Sequence, residues 1–377
     1  MTAQLDPPVS RSGPADGIGD GIGDALAALQ AGRPVLVVDD AGREDEGDVV
    51  LPAALADPAW VAWTVRHTSG LLCAPLEADR ADALDLPLMV WRNADPHGTA
   101  YTVSVDAAEG VGTGISAADR ARTARVLADC RSVARDLRRP GHVLPLRARP
   151  GGVVERPGHT EAAVDLCRLA GLPPVGVIAE LVTGPDEPRA GATAGRAEVA
   201  ALGQQHGLPL LDVADLVRHR LFFGDGLRGR VSRGARAALP ISRGGFEAVG
   251  FRDEVTGADH VALLGPSSSG RPLVAVHVEC VVGDVFGSLA CDCRRELEAS
   301  LAAVARTGGV VVYLRPGATG AQILSGGHDA EAAHPDVHAA AAAAVLADLG
   351  LAEVRLRERG PVDVSALATG GIRAVAV

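Results

Sequence analysis

Lysine is absent: all 36 basic residues of this 377-residue chain are arginine. That excludes Schiff-base catalysis, a pyridoxal anchor and a Walker-type phosphate lysine, so any carbonyl chemistry must run on a metal or on side-chain acids and bases. Aromatics are scarce at 3%, which leaves the cores to small aliphatic side chains; a 47% hydrophobic content is still ample for two domains. The formal net charge of −11 removes the basic surface through which duplex-binding proteins release counterions, so nucleic acid is not expected as a partner. Long hydrophobic runs are missing too. The longest, His338 to Leu351, is alanine-rich and broken by Asp348, and reads as a helix of a soluble protein and not as a membrane span. Six cysteines stand at 73, 130, 167, 280, 291 and 293, and no secretory signal is read ahead of them, which predicts reduced thiols in a cytoplasmic protein.

What is present alternates. Residues 1–16, rich in Pro, Ser and Gly, read as a loose tail, and the twin Gly-Ile-Gly-Asp at 17–20 and 21–24 leads into a helix. Strand-like runs at Val35–Val38, Leu71–Ala74, Thr102–Val105 and Val175–Val182 are separated by helical stretches such as Ser116–Asp129 and Thr160–Ala170. The Gly- and Arg-rich segment 222–238 lacks apolar periodicity and reads as a linker. Beyond it, runs at Val261–Leu264, Leu273–Val278 and Val310–Leu314 alternate with helices near Arg294–Arg306 and Asp336–Leu349. The expected architecture is α/β (α+β): two mixed layered domains, 17–221 and 239–377, joined by that linker.

Two loops of the first domain carry chemistry. Arg43-Glu44-Asp45-Glu46-Gly47-Asp48 follows the strand-like run, and Arg156-Pro157-Gly158-His159-Thr160 enters a helix. Glu44 and His159 make a reasonable pair for a hard cation such as Mg²⁺, which keeps one or two carboxylates and several waters. His142, in Arg139-Pro140-Gly141-His142, repeats the Pro-Gly-His turn, and Glu180 ends an apolar strand where clefts form. A His and a Glu flanking a metal suit proton transfers on a polarised carbonyl. An acidic loop alone is usually a solvated turn, and a Pro-Gly-His alone is usually a helix entry. It is their joint occurrence in one domain that favours function.

The wider set of motifs resembles one family. Asp39 to Asp48, His67-Thr68-Ser69-Gly70 with Cys73, Glu109 to Gly114 through Arg120, Arg139 to Leu146, Gly151-Gly152-Val153, Arg156 to Ala162 and Glu180-Leu181 resemble 3,4-dihydroxy-2-butanone 4-phosphate synthase, over essentially all of 20–220. The resemblance implies conversion of ribulose 5-phosphate to that product plus formate. It also implies Arg43, Asp48, Arg156 and Thr160 on the sugar phosphate, with Pro157 and Gly158 in the same substrate loop. Glu44 and His159 would hold Mg²⁺, or Mn²⁺ in its place, and His142 and Glu180 would act as acid/base groups, with Glu44, His159 and Glu180 also touching substrate. A homodimer with the site at the subunit interface is implied as well. Cys73 reads as a small buried residue and stays outside the catalytic set.

In the second domain Cys280, Cys291 and Cys293 form C-x10-C-x-C, three thiolates that leave a fourth position on zinc open. With His277-Val278-Glu279-Cys280 and Gly283 to Ser288 they resemble GTP cyclohydrolase II. The chain departs from that family: Ala275 and Val278 replace an arginine and a serine, and Leu289-Ala290 replaces a His-Arg pair. After Arg315 it reads Pro316-Gly317-Ala318, with the stretch for a catalytic Asp and a nucleophilic Arg apparently deleted. Arg357-Glu358-Arg359-Gly360-Pro361 replaces a guanine-proximal loop. His328, His334 and His338 read as scattered histidines and not as a metal site. The departures favour a zinc-binding scaffold or regulatory remnant and argue against GTP as a ligand. The alternatives are retained GTP cyclohydrolase II turnover, or hydrolysis of another ring.

Overall fold

Val35–Val38 is apolar at every position and leaves a strand no solvent face, which suits a place inside a sheet covered on both sides. The computed structural model describes residues 20–377 apart from 41, 185–188, 224–226, 269, 316–334 and 359; the tail, the first three residues of the Gly-Ile-Gly-Asp pair and the stretch read as a deletion lie outside the described residues. The chain divides into two compact units at Val217/Arg218. Each is α/β, built on a seven-stranded mixed sheet.

In the first unit the strands are β1 Val35–Val38, β2 Gly47–Pro52, β3 Cys73–Leu76, β4 Val105–Ala107, β5 Leu137–Arg147, β6 Gly176–Glu180 and β7 Leu210–Asp212, in the order β4-β5-β3-β6-β2-β1-β7. The helices are α1 Asp20–Gln30, α2 Pro58–His67, α3 Ala78–Ala83, α4 Ala117–Ala128, α5 His159–Leu169 and α6 Arg196–His206, and α7 Val213–Phe222 runs across the division. Only β1/β7 and β3/β5 run parallel. Two registers place the site: Asp48 of β2 faces Glu180 of β6, and Cys73 of β3 faces both Ile178 of β6 and Leu144 of β5. The core is aliphatic, with Leu36, Leu51, Leu72, Leu76 and Leu127 fully enclosed, and each such side chain contributes about 1.5–3 kcal/mol by leaving water.

The second unit contains α8 Leu227–Arg230, β8 Val231–Ile241, β9 Gly244–Asp253, β10 Asp259–Leu264, β11 Leu273–Val278, α9 Cys293–Thr307, β12 Gly309–Leu314, α10 Pro335–Asp348, β13 Glu353–Leu356, α11 Val364–Thr369 and β14 Arg373–Ala376. Its sheet order is β14-β13-β11-β12-β10-β9-β8. Among the described residues no helix is long and apolar enough to cross a membrane.

Two sequence expectations need correction. The segment 222–238 is not a free linker, because residues 231–241 form the edge strand β8 paired along β9. Nine consecutive residues of β8 are exposed on both faces, so the strand has no buried face to impose the alternation by which strands are recognised. The Pro-Gly-His at 140–142 is likewise not a second helix-entry turn, since it lies inside β5. Gly141 is required there because a Cβ would collide with the backbone of Val105 on the neighbouring strand.

The second unit is locked by one buried ion pair. Arg230 and Asp253 are 2% and 0% exposed, with Nη2 donating to Oδ2 at 2.8 Å. Arg230 Nη1 also donates to the Leu221 carbonyl at 2.8 Å, and the Val255 N–H donates to Asp253 Oδ1 at 2.9 Å. Burial opposes the charge on Asp253, but His260, the guanidinium and the backbone donor outweigh it and hold the carboxyl well below the usual carboxylate range. His260 Nε2 is 3.8 Å away, too far for a good hydrogen bond, so the guanidinium carries most of this effect. Asp253→Asn should therefore cost about 3–5 kcal/mol by leaving a buried guanidinium without its counter-charge. A depressed folded-state pKa means that the stabilisation is complete above the unfolded value near ~4 and is lost as pH falls toward the folded value. Urea melts of the full chain at pH 7 and pH 3 should show the wild type beginning to lose this contribution with acid and Asp253→Asn losing nothing further from it; an unchanged midpoint for the variant at pH 7 would refute the lock.

Candidate active site

The loop after β1 and the N-terminus of α5 bring Glu44 and His159 together, and Asp39 joins them: one ligand atom from each lies within 4.8 Å of the others. Glu44 is half-buried and the other two are buried. His159 Nε2 is enclosed without a hydrogen-bond partner, an arrangement that costs free energy unless something binds there. Two carboxylates and a neutral imidazole nitrogen fit a hard divalent cation that keeps part of its water. Arg43 bridges the two carboxylates, donating to Asp39 at 2.8 Å and to Glu44 more closely, so its guanidinium neutralises the acids as the structure stands.

The anion-binding side is built from the same two loops. Gly158 caps α5 without a side chain, which leaves the first-turn N–H groups open to a ligand. A Cβ on Gly158 would fall 2.6 Å from an Arg156 Nη and 3.0 Å from an Arg43 Nη, so two guanidiniums converge over the helix start. Arg156 is braced by Glu161 Oε2 at 2.7 Å and by the Thr99 hydroxyl at 3.2 Å. Thr160 is buried in the first turn, and Pro157 shapes the entry ahead of it.

Acids crowd the floor of this cleft. Burial raises Asp48 to about 7, against the pull of His159 and with Glu180 and Glu46 adding to the rise. Burial also raises Glu46, against a hydrogen bond from Thr193. Glu180 accepts from the Ser69 hydroxyl at 2.8 Å, which fixes one carboxylate oxygen and leaves the other to the cleft. Arg43, Glu44, Asp48, Arg156, His159, Thr160 and Glu180, all singled out in the sequence, line this single cavity.

His142 does not line it. The ring is exposed, its Nδ1 is 2.7 Å from Asp106 Oδ2, and its backbone N–H donates to Asp106 Oδ1 at 2.9 Å. The glycine-rich turn closes over the pair, for a Cβ on Gly114 would meet Asp106 and His142 Nδ1. β3 separates β5 from β6, so the strands of His142 and Glu180 lie about 10 Å apart by two inter-strand spacings.

Sequence reasoning missed several contributors. Asp39 belongs to the Asp39–Asp48 motif but is not read as a ligand, because a residue just beyond a strand gives no signal of where it points. Thr99 and Tyr101 also line the cleft, Tyr101 with its phenol pushed up to about 12 by burial, and His97 Nε2 stands 3.6 Å from Glu44 Oε1. Nothing in His97-Gly98-Thr99-Ala100-Tyr101 marks them, since His97 and Thr99 meet Arg156, and Tyr101 meets the cleft, only in the tertiary fold. Cys73 lines the same cavity, and burial raises its thiol far above the nucleophilic range.

In the second unit Cys280, Cys291 and Cys293 converge, with one sulfur of each within 4.8 Å of the others. Burial and the neighbouring sulfurs push Cys293 up, and burial raises Cys280 despite the N–H of Gly283, as expected of thiols that ionise only around a cation. His338 lies buried in α10 and burial lowers its pKa, while His328 and His334 fall outside the described residues.

Comparison with known proteins matches both units. Residues 23–219 match the model of the family 3,4-dihydroxy-2-butanone 4-phosphate synthase, and residues 232–377 match that of GTP cyclohydrolase II. The chain is 48% identical over 369 residues to the riboflavin biosynthesis protein RibBA of Salinispora arenicola, covering 92% of this chain and 86% of the relative. It is 51% identical over 298 residues to RibBA of Mycobacterium ulcerans, covering 77% and 68%. Among solved structures it is similar to RibBX of A. baumannii, described as a two-domain 3,4-dihydroxy-2-butanone 4-phosphate synthase, with a TM-score of 0.73, 30% identity and coverage of 94% and 99%. A 3,4-dihydroxy-2-butanone 4-phosphate synthase in complex with two magnesium ions matches with a TM-score of 0.51 and 46% identity, over 54% of this chain and 99% of that one.

Proposed function

Since this chain belongs to the 3,4-dihydroxy-2-butanone 4-phosphate synthase family and carries a GTP cyclohydrolase II family domain behind it, we propose that its first domain converts D-ribulose 5-phosphate to L-3,4-dihydroxy-2-butanone 4-phosphate and formate in riboflavin biosynthesis, in the cytoplasm. One observation carries this reading: Asp39, Glu44 and the unpartnered His159 converge beside two guanidiniums at an open helix N-terminus. That is a cation site next to a phosphate site, the pair a phosphorylated ketose requires.

Glu44 and His159 would hold Mg²⁺ or Mn²⁺, with Asp39 alongside. When bound, the cation would supply Lewis-acid polarisation of the ketone. Arg43, Arg156 and the first turn of α5 bind the phosphate, so Arg43 exchanges its carboxylate partners for substrate. Glu180, oriented by Ser69, is placed to take or return a proton, and the elevated Asp48 carboxyl can hold one beside it. His142, oriented by Asp106, is the second acid/base group. Its place outside the cleft of its own chain supports a homodimer in which a second copy presents it.

For the second domain the family match over 232–377 and relatives that align through both units favour GTP cyclohydrolase II activity in the same chain over the scaffold reading. Cys280, Cys291 and Cys293 would then hold zinc, and GTP would be the substrate. Paired incubations of the full chain test both activities. Ribulose 5-phosphate should release formate with Mg²⁺ and not after chelation, and GTP with zinc should release formate and pyrophosphate. Metal-independent formate from the sugar would overturn the first assignment, and intact GTP alongside a working synthase would restore the scaffold reading.

A further inference from the structure

We propose that Asp284 is the positioning residue of the Cys280, Cys291 and Cys293 set, tying the sulfurs to the sheet so that their spacing is fixed before an ion binds. The inference rests on reading these cysteines as ion ligands, and it concerns a residue with no sulfur and no place among them.

Three donors meet on the Asp284 carboxylate. His277 Nε2 is 3.0 Å from both oxygens, the Tyr313 hydroxyl donates to Oδ2 at 2.9 Å, and the backbone N–H of Cys280 donates to Oδ2 at 2.9 Å. An ionised carboxylate only accepts, so the arrangement sets His277 as the Nε2–H tautomer and commits the phenol proton to Asp284. His277 and Tyr313 are themselves fixed. They are register partners on the parallel strands β11 and β12, and their rings stack at 5.5 Å. Asp284 therefore joins two points on a rigid sheet to the backbone of the first cysteine.

The turn that carries Asp284 also sets the sulfurs. Val281–Val285 forms a single π-helical turn after Cys280, and the Gly283 N–H donates to Cys280 Sγ at 3.4 Å. A Cβ on Gly283 would fall 2.6 Å from Cys291 Sγ, 3.0 Å from Cys293 Cβ and 3.2 Å from Cys280 Sγ. The turn thus packs directly against all three cysteines, and moving it moves them. Cys280 and Cys291 sulfurs stand 3.9 Å apart, close to the roughly 3.8 Å that zinc–sulfur bonds of about 2.3 Å give at tetrahedral angles. Partners that orient metal ligands in this way typically contribute about 10–100-fold in affinity.

The test uses reduced, metal-free full-length protein titrated with Co²⁺, followed by competition with zinc. Wild type should show thiolate-to-cobalt absorption. Asp284→Asn, of nearly the same shape but placing an amide against three donors, should lose about 10–100-fold in affinity and shift the cobalt spectrum. Tyr313→Phe, which removes one donor and keeps the carboxylate, should lose a few-fold. Formate release from ribulose 5-phosphate, chemistry of the other unit, should be unchanged in both variants. No thiolate spectrum in wild type would overturn the ligand reading itself. Wild-type affinity and spectrum in Asp284→Asn would overturn only the positioning role. If that variant loses its second unit to unfolding, the Tyr313→Phe titration decides, with wild-type behaviour there counting against the proposal.

Discussion

Replacing His159 by alanine should lower formate release from ribulose 5-phosphate by about 10³-fold and abolish its response to Mg²⁺, because a metal acting on a carbonyl is worth several kcal/mol at the transition state. The same variant should lose Mn²⁺ binding measured directly by its paramagnetism, which separates a ligand role from a role in proton transfer. The enclosed Nε2 leaves no hydrogen-bond partner behind, so the cost to folding is that of the lost buried ring. His97 supplies the internal comparison. It stands 3.6 Å from Glu44 on an exposed loop, so His97→Ala should cost less than about tenfold, as loss of an exposed polar contact beyond hydrogen-bond distance does. Full activity and retained Mn²⁺ binding in His159→Ala would refute the cation site as assigned.

The parts of this site that could be read from the sequence are those in which one short segment carries several functional groups at once. Glu44 and His159 are legible because the first loop packs acid, cation and glycine after an apolar run and the second joins a guanidinium and an imidazole at a helix entry, compositions that a merely structural turn does not need. Asp39 and Tyr101 lie in segments whose composition any strand end or loop could share; what distinguishes them is proximity across the fold, to which no local pattern is sensitive. Asp284 is similar, since it stands within the Gly283–Ser288 motif while its three bonds depend on a strand pairing between His277 and Tyr313.

Secondary structure followed the same division. Val35–Val38 and Leu273–Val278 appear where their apolar runs place them, because burial on both faces leaves only one reading. β5 was hidden by Pro140-Gly141, residues that argue for a turn unless an adjacent backbone approaches too closely for a side chain, as that of Val105 does. β8 was hidden for the opposite reason: a strand in solvent on both faces is polar and glycine-bearing like a linker, and only its pairing with β9 distinguishes it. The second domain turned on weight rather than legibility. Missing signature residues argued for a remnant, yet the match through 232–377 and the relatives that align across both units favour the two-activity reading.

His142→Ala and Glu180→Ala should each be inactive alone, and their mixture in one cell should recover about a quarter of wild-type activity. The number follows from the two-fold symmetry of the proposed homodimer. Random pairing makes half of the dimers mixed, and a mixed dimer holds one site with both native groups and one with neither. Glu180 lines the proposed cation cleft, while His142 stands with Asp106 beyond β3, exposed and outside that cleft. The exposed ring is well oriented, since Asp106 is buried and bonds both the imidazole and the backbone N–H of His142, and such orientation has no evident use to a residue that meets only water. If both groups served one substrate within a single chain, every mixed dimer would hold two defective sites and the mixture would stay inactive. Formate release by the purified mixed dimer, isolated through different tags on the two variants, separates the cases cleanly, with about half of wild-type activity expected from a shared site and none from a site built by one chain.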